Sequence, residues 1–219
     1  MKKSLLFAIL ALGAVLPSRA GLTFSTGDVN GSGTSLGLAV PDGQSPLGVS
    51  SDISVSGAGI ELTSVKVTLN ISGGWNGDLY GYLSYNGTLV TLLNHVGTGS
   101  GDQVQTVSGF STSGFGNVTL ADGGAGGNIH NVATPGSAIS YGADGGSLAS
   151  LAGGNPNGTW TLFLSDNSQN YQSTLMGWSL DITAVPEPVD YALAIFGLVF
   201  VGVGGVRWYR HAALARQSI

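Results

Sequence analysis

The sequence predicts an all-β domain held between an export signal and a membrane-spanning tail. Three observations carry that reading. Gly accounts for 37 of the 219 residues, and Gly costs about 1 kcal/mol relative to Ala in a helix interior. Apolar and polar residues alternate with period two through the middle of the chain, the pattern of half-buried strands. Asn86-Gly87 stands between two such runs, a strong short-range hairpin signal. The length suits one core of moderate size.

Taken in order, the first element is residues 1–20. Lys2 and Lys3 precede the apolar run Leu5 to Leu16, and Ser18-Arg19-Ala20 sets small residues at the −3 and −1 positions. This is the layout of a signal peptide cleaved before Gly21. Residues 21–38 read as a linker or first strand. Ser51 to Ser56 alternates, and Leu62 to Ile71 does so more clearly, with Val65, Val67, Leu69 and Ile71 on one face until Gly73-Gly74 breaks it. Leu79 to Tyr85 and Leu89 to Leu93 form the Asn86-Gly87 hairpin. Thr159 to Ser165 and Leu175 to Thr183 read as a further pair around a polar loop from Asp166 to Ser173. Val104 to Val107 and Val118 to Leu120 read as short strands within a Gly-rich stretch. Regularly spaced strands of this kind suggest a sandwich or jelly roll.

The tail, 185–219, opens on Val185-Pro186-Glu187-Pro188. An uncharged run, Tyr191 to Val206, precedes Arg207, Trp208, Tyr209 and Arg210. That run rises about 24 Å as a helix, short of a hydrocarbon core of about 30 Å unless its flanks join it. A span over 190–209 follows, with the Arg-rich end cytoplasmic.

Charge and composition exclude several functions. A formal net charge of −5 lacks the basic footprint that nucleic-acid binding needs. With no Cys, there is no disulfide framework and no thiolate metal site. The histidines are His95, His130 and His211. No Gly-x-Ser-x-Gly elbow stands at a strand-to-helix turn and no His pair at i, i+4 occurs, so His95 and His130 read as solvent-facing loop residues and the chain as no enzyme. Asp78, Asp102, Asp122, Asp144 and Asp166 all sit in loops or at strand ends. Ca²⁺ takes six to eight oxygens from such carboxylates, amides and backbone carbonyls. Ordinary turn capping is the competing reading. Trp160 and Trp178, in alternating strands, read as core. Gly77 and Gly158 read as turn residues needing positive φ. Trp75, Tyr80, Tyr82 and Tyr85 could stack on sugars, although Tyr80 and Tyr82 share a face that period two leaves open as core.

Two resemblances rest on ordered motifs. Val-Pro-Glu-Pro at 185–188, an apolar helix and the Arg207/Arg210 end resemble the PEP-CTERM sorting signal. The resemblance implies processing by an exosortase-type enzyme near Pro186-Glu187-Pro188, delivery to the cell surface or release, and a host that makes exopolysaccharide or biofilm. Ala39-Val40-Pro41-Asp42, Trp75-Asn76-Gly77-Asp78-Leu79, Asn157-Gly158-Thr159-Trp160-Thr161-Leu162, Ser165-Asp166-Asn167 and Gly177-Trp178-Ser179-Leu180 follow one another. Together they resemble the P domain (Homo B domain) that accompanies proprotein convertases and bacterial subtilisin-like proteases. That resemblance covers 39–184 and implies a jelly-roll-type β-sandwich. It also implies Ca²⁺ binding, first at Asp78 and Asp166, which match recurrently acidic family positions, and then at Asp122. The function expected is an exosortase-sorted surface or biofilm-matrix protein whose stand-alone P-domain module binds or supports, with extracellular polysaccharide as a candidate ligand. An accessory module of a subtilisin-like serine endopeptidase system is the alternative.

Overall fold

In the computed structural model, residues 21–43, 47–99 and 109–215 are described. The described residues up to 186 form one compact unit and those from 187 onward belong to a second. The first is a two-sheet β-sandwich. Its larger sheet runs β1 (Gly21–Gly27), β10 (Ser173–Val185), β4 (Glu61–Gly73), β7 (Phe115–Leu120) and β8 (Ser140–Tyr141), with β2 (Leu38–Ala39) also beside β10. The smaller sheet runs β3 (Val49–Val55), β9 (Gly158–Asp166), β5 (Leu79–Tyr85) and β6 (Thr88–Asn94). Among the strand pairs of the described residues, β7–β8 is parallel and the others are antiparallel.

Alternation sets which face each strand buries. On β4, Val65, Val67, Leu69 and Ile71 are buried, as are Leu180 and Ile182 beside them on β10. They meet Leu79, Leu83, Trp160, Leu162 and Leu164 from the smaller sheet in one core. Trp178 links the two sheets directly: its indole Nε1–H donates to Ser51 Oγ on β3 at 2.9 Å. The β5–β6 hairpin turns at Asn86 (φ 48°) and Gly87 (φ 78°), the paired positive φ values of a type I′ turn. Gly73 and Gly74, at φ 69° and 64°, end β4 as its sequence implies.

One expectation changes and two open readings are decided. The runs Thr159 to Ser165 and Leu175 to Thr183 do not pair with each other. β9 pairs with β3 and β5, whereas β10 pairs with β1 and β4, so the Asp166–Ser173 segment crosses between sheets. Residues 21–27 are a full strand, paired with β10 from Gly21 onward; the expected cleavage before Gly21 would leave that strand whole. Tyr80 and Tyr82 face outward and are half-buried. The phase of β5 gives the core to Leu79, Leu83 and Tyr85 instead, and Tyr82 stacks on Phe163 at 4.9 Å. Val104 to Val107, Asp102 and residues 1–20 lie outside the described residues.

In the second unit, two residues separate α1 (Pro188–Ala215) from the end of β10. Pro at a first helical position suits its fixed φ and missing N–H. Phe200, Val201 and Val203 are exposed on it, as is Arg207; the Arg210 side chain lies outside the described residues. Among the described residues no helix is long and apolar enough to cross a membrane.

Candidate functional site

The acidic residues singled out above fall into three places. Asp78 and Asp166 come together. Leu79 and Asp166 are register partners on β5 and β9, which sets Asp78 at the adjoining strand end. The Asn167 amide donates to the Asp78 carbonyl at 2.9 Å. Gly77 lies inside a 3₁₀ turn, Asn76–Asp78, and 3₁₀ backbone has negative φ. The expected positive φ therefore belongs to Gly158 alone of that pair, at 142°. The turn buries Asn76, Gly77 and Asp78 together. A third segment closes the site. The Gly43 amide donates to the Asp166 carbonyl at 3.1 Å, and the Asn170 amide donates to Asp42 Oδ2 at 3.0 Å.

The chemistry of this cluster is unusual. Asp78 is 1% exposed and Asp166 is fully buried. Both carboxylate oxygens of Asp78, Oδ2 of Asp166, Oδ1 of Asp42 and Oδ1 of Asn76 are buried without a hydrogen-bond partner. Buried carboxylates without partners are costly. Burial, then the charges of Asp166 and Asp42, push Asp78 up to about 6. Burial also raises Asp166, with Asp42 adding to the effect against hydrogen bonds from Ser168 and Ser173.

The cluster accordingly presents five unpartnered oxygen acceptors, with the buried Ser173 hydroxyl beside Asp166 as the nearby side-chain donor. Among the described residues no three His, Cys, Asp or Glu side chains gather as a metal site. A hard cation does not require that, because Ca²⁺ also takes amide and backbone carbonyl oxygens. The unpartnered oxygens of Asp42, Asn76, Asp78 and Asp166 fit such an ion. Trp75, beside this turn, is half-buried rather than core and stacks on Tyr171 at 4.4 Å. Asn170 and Tyr171 both hold positive φ, 74° and 65°, a conformation that persists only where its surroundings fix it.

Asp122 sits elsewhere. Its carboxylate accepts from Ser147 Oγ at 2.9 Å, Leu148 N at 3.0 Å and Ala149 N at 2.6 Å, capping the 3₁₀ turn Leu148–Leu151. Asp144 accepts the Asn94 amide at 2.8 Å and pairs with His130 Nδ1 at 3.0 Å.

His95 and His130 are half-buried, not solvent-facing, because each ring is tied at both nitrogens. His95 Nδ1 lies 3.1 Å from the Gly77 carbonyl, and its Nε2 lies 3.1 Å from Asn167 Nδ2. A neutral ring protonated at Nδ1 satisfies both contacts. His130 Nε2 lies 2.8 Å from the Thr98 carbonyl while Nδ1 meets Asp144, so two acceptors face it. Burial lowers the His130 pKa, but the Asp144 hydrogen bond, the Thr98 carbonyl and the Asp144 charge outweigh it and the net direction is upward. A raised folded-state pKa adds stability that is complete below the unfolded value and is lost as pH rises through the folded one. His130→Gln is expected to lower stability by about 1–2 kcal/mol at pH 5.5 and by less at pH 8. Urea melts at the two pH values check this; an equal loss at both would show that the ring's charge is irrelevant.

No family model matches the chain, and no curated protein matches it. Among solved structures it is similar to the Aeromonas sobria serine protease in complex with the chaperone ORF2. Identity there is 18%, over 77% of this chain and 27% of that one, with a TM-score of 0.42. It is also similar to the Aeromonas sobria serine protease alone, at 16% identity over 78% and 28% of the two chains and a TM-score of 0.39. The chain spans little more than a quarter of the length of those structures.

Proposed function

We propose that this chain is an exported cell-surface or biofilm-matrix protein whose sandwich is a stand-alone, non-catalytic binding and structural module clamped by Ca²⁺. The observation that carries the reading is the set of unpartnered buried oxygens on Asp42, Asn76, Asp78 and Asp166. A buried site in which oxygen acceptors outnumber donors is the form that an oxygen-liganded cation completes. Three chain segments distant in sequence supply those oxygens, so the ion would hold the sheet-to-sheet crossing after β9 against the start of β5. The rings of His95 and His130 tie loop carbonyls and side chains together, a bracing use that suits a binding and structural module.

Export and sorting rest on the two ends of the sequence. The proposal is that a signal peptidase releases residues 1–20 and that an exosortase-type enzyme cuts near Pro186-Glu187-Pro188 after the tail has entered the membrane. Pro186 and Glu187 lie between the end of β10 and the start of α1, and Glu187 and Pro188 are exposed, as a cleavable stretch requires. Intact-mass measurement of the surface-recovered protein tests this. The expected termini are Gly21 and a residue close to Glu187. A retained tail would overturn exosortase sorting and leave a membrane-anchored module; a retained residue 1–20 segment would overturn export by cleavage.

An accessory role in a subtilisin-like serine endopeptidase system is the second reading, favoured by the ordered motifs from Trp75 to Trp178. It predicts that the chain co-purifies with a protease and that the protease loses thermal stability when the chain is deleted.

A further inference from the structure

The outer face of the larger sheet carries a row that the cation site does not use. Ser25 is the register partner of Ser179, Ser179 of Thr68, Thr68 of Thr119, and Thr119 of Ser140. Register partners share a face, so five adjacent strands set five hydroxyl side chains in one transverse line. The next row places Thr23, Asp181 and Lys66 together, with Thr23 Oγ1 donating to Asp181 Oδ1 at 2.6 Å. Neighbouring strands lie about 4.8 Å apart, which spaces the hydroxyls at the scale of groups on a sugar ring.

A loop converts this face into a groove. After β1, residues 28–33 fold back over the sheet. Val29 and Ser32 exchange backbone hydrogen bonds at 3.0 Å, and Asn70 Nδ2 donates to the Asp28 carbonyl at 2.8 Å. The Asn30 amide donates to Asn117 Oδ1 on β7 at 2.7 Å. Gly177 permits the crossing: a Cβ there would lie 2.5 Å from the Asp28 carbonyl oxygen. The groove beside the loop encloses about 420 Å³, within the usual range for a small-molecule site. Thr68 and Ser179 form its floor, both about nineteen-twentieths buried, with Ser25, Ser32, Asn30 and Asp181 around them. Thr68 and Thr119 share one hydrogen bond at 2.9 Å. Among the described residues the Ser25, Ser32 and Ser179 hydroxyls have no partner.

We infer that this groove binds a neutral sugar unit of a glycan. Hydroxyls that both donate and accept, one carboxylate for a pair of adjacent sugar hydroxyls, and an amide at the rim match a polyhydroxylated neutral ring. Asp181 is the only charged lining residue, so a polyanion gains nothing there. The floor lies in the middle of the sheet rather than at an edge, which removes the backbone pairing that a peptide strand would use. The inference rests on the binding role proposed above and gives it a ligand class.

The test uses the full chain in a phosphocholine-headed detergent, which carries no sugar to compete. Oligomers of glucose, galactose, mannose and N-acetylglucosamine are titrated by NMR, with alginate as the anionic control. At least one neutral oligomer is expected to bind and to shift the Ser25, Ser179 and Thr68 amides. Thr68→Val with Ser179→Ala, which keeps shape and removes two hydroxyls, is expected to weaken it at least about tenfold. Asp181→Asn gives the same reading should that pair fail to fold, and Leu89→Ala, at an exposed position on the opposite sheet, is expected to leave binding unchanged. Binding by none of the four up to about 10 mM, binding indifferent to the groove variants, or tighter binding of alginate would each overturn the inference. The Ca²⁺-dependent melting shift is read on the same samples, so an empty groove on a calcium-responsive fold is distinguishable from failure of the cation site.

Discussion

Saturating Ca²⁺ is expected to raise the melting temperature of the chelated full-length chain by about 5–11 °C at pH 7.5. An ion that binds only the folded state adds about 2.7 kcal/mol at one hundred times its dissociation constant. Each kcal/mol moves the midpoint of a domain of this size by about 2–4 °C. The sign of the pH dependence makes the test specific. Asp78 is held at about 6 when folded against 3.8 for the ordinary side chain, and Asp166 moves in the same direction. A raised carboxylate pKa gives stability that is fully present below the unfolded value and lost as pH rises through the folded one. In chelator, stability is therefore expected to fall between about pH 4 and pH 7, with Asp78 alone worth about 3 kcal/mol. With Ca²⁺ the slope reverses over the upper part of that window, because the ion binds the deprotonated carboxylates and competes with protons for them. Asp78→Asn is expected to abolish the Ca²⁺ shift while leaving the chelated protein no less stable than wild type at pH 7.5, since it removes a charge that has no partner. A melting temperature indifferent to millimolar Ca²⁺, or an Asp78→Asn variant that still responds, would remove the cation from this site.

The two halves of this site were unequally visible in the sequence. Asp78 and Asp166 stand out, each at a strand end beside Asn or Gly. Asn76 and Asp42 are ordinary turn residues until the fold brings 40–43, 76–78 and 166–170 together, and period-two patterning carries no information about contacts over that separation. The same limit explains the sheet assignments. Alternation marks β4, β5, β6, β9 and β10 because one face of each is buried. It cannot say that consecutive strands β9 and β10 join different sheets, which is decided by the Asp166–Ser173 crossing. Nor does it choose the face: Tyr80 and Tyr82 are as apolar as the core accepts, yet the Leu79 and Leu83 phase is the buried one, and Tyr85 on that face satisfies its hydroxyl at the Asn155 and Asn157 carbonyls. The hydroxyl row is hidden for a further reason. Ser and Thr on a strand's polar face look like solvated surface, and only register shows five of them in line.

Trp160→Ala is expected to lower stability by about 3–5 kcal/mol, the usual range for deleting a buried large aromatic. Trp160 is fully buried, and its ring lies parallel to Tyr85 at 3.9 Å with 4° between planes, joining neighbouring regions of β9 and β5. Its Nε1–H donates to the Pro156 carbonyl at 3.0 Å, fixing the approach to β9. Alanine empties the space between the sheets and leaves that carbonyl without its donor. Small domains hold only 5–15 kcal/mol in all, so the midpoint should drop by about 6–20 °C. Trp160→Phe keeps most of the ring area and loses the hydrogen bond, for about 1–2 kcal/mol. The contrast between the two variants separates packing from hydrogen bonding, and thermal melts with urea titrations read both. The Ala variant also reports on the cation site from a distance. Asp166 closes the same strand that Trp160 anchors, so a variant whose core alone is damaged should keep the full Ca²⁺ shift from its lower baseline. A shift lost together with the packing would mean that β9 carries strain from the core to the site. An Ala variant within about 1 kcal/mol of wild type would show that the sheets repack around the missing ring, and Trp160 would then have no claim as the anchor of the smaller sheet.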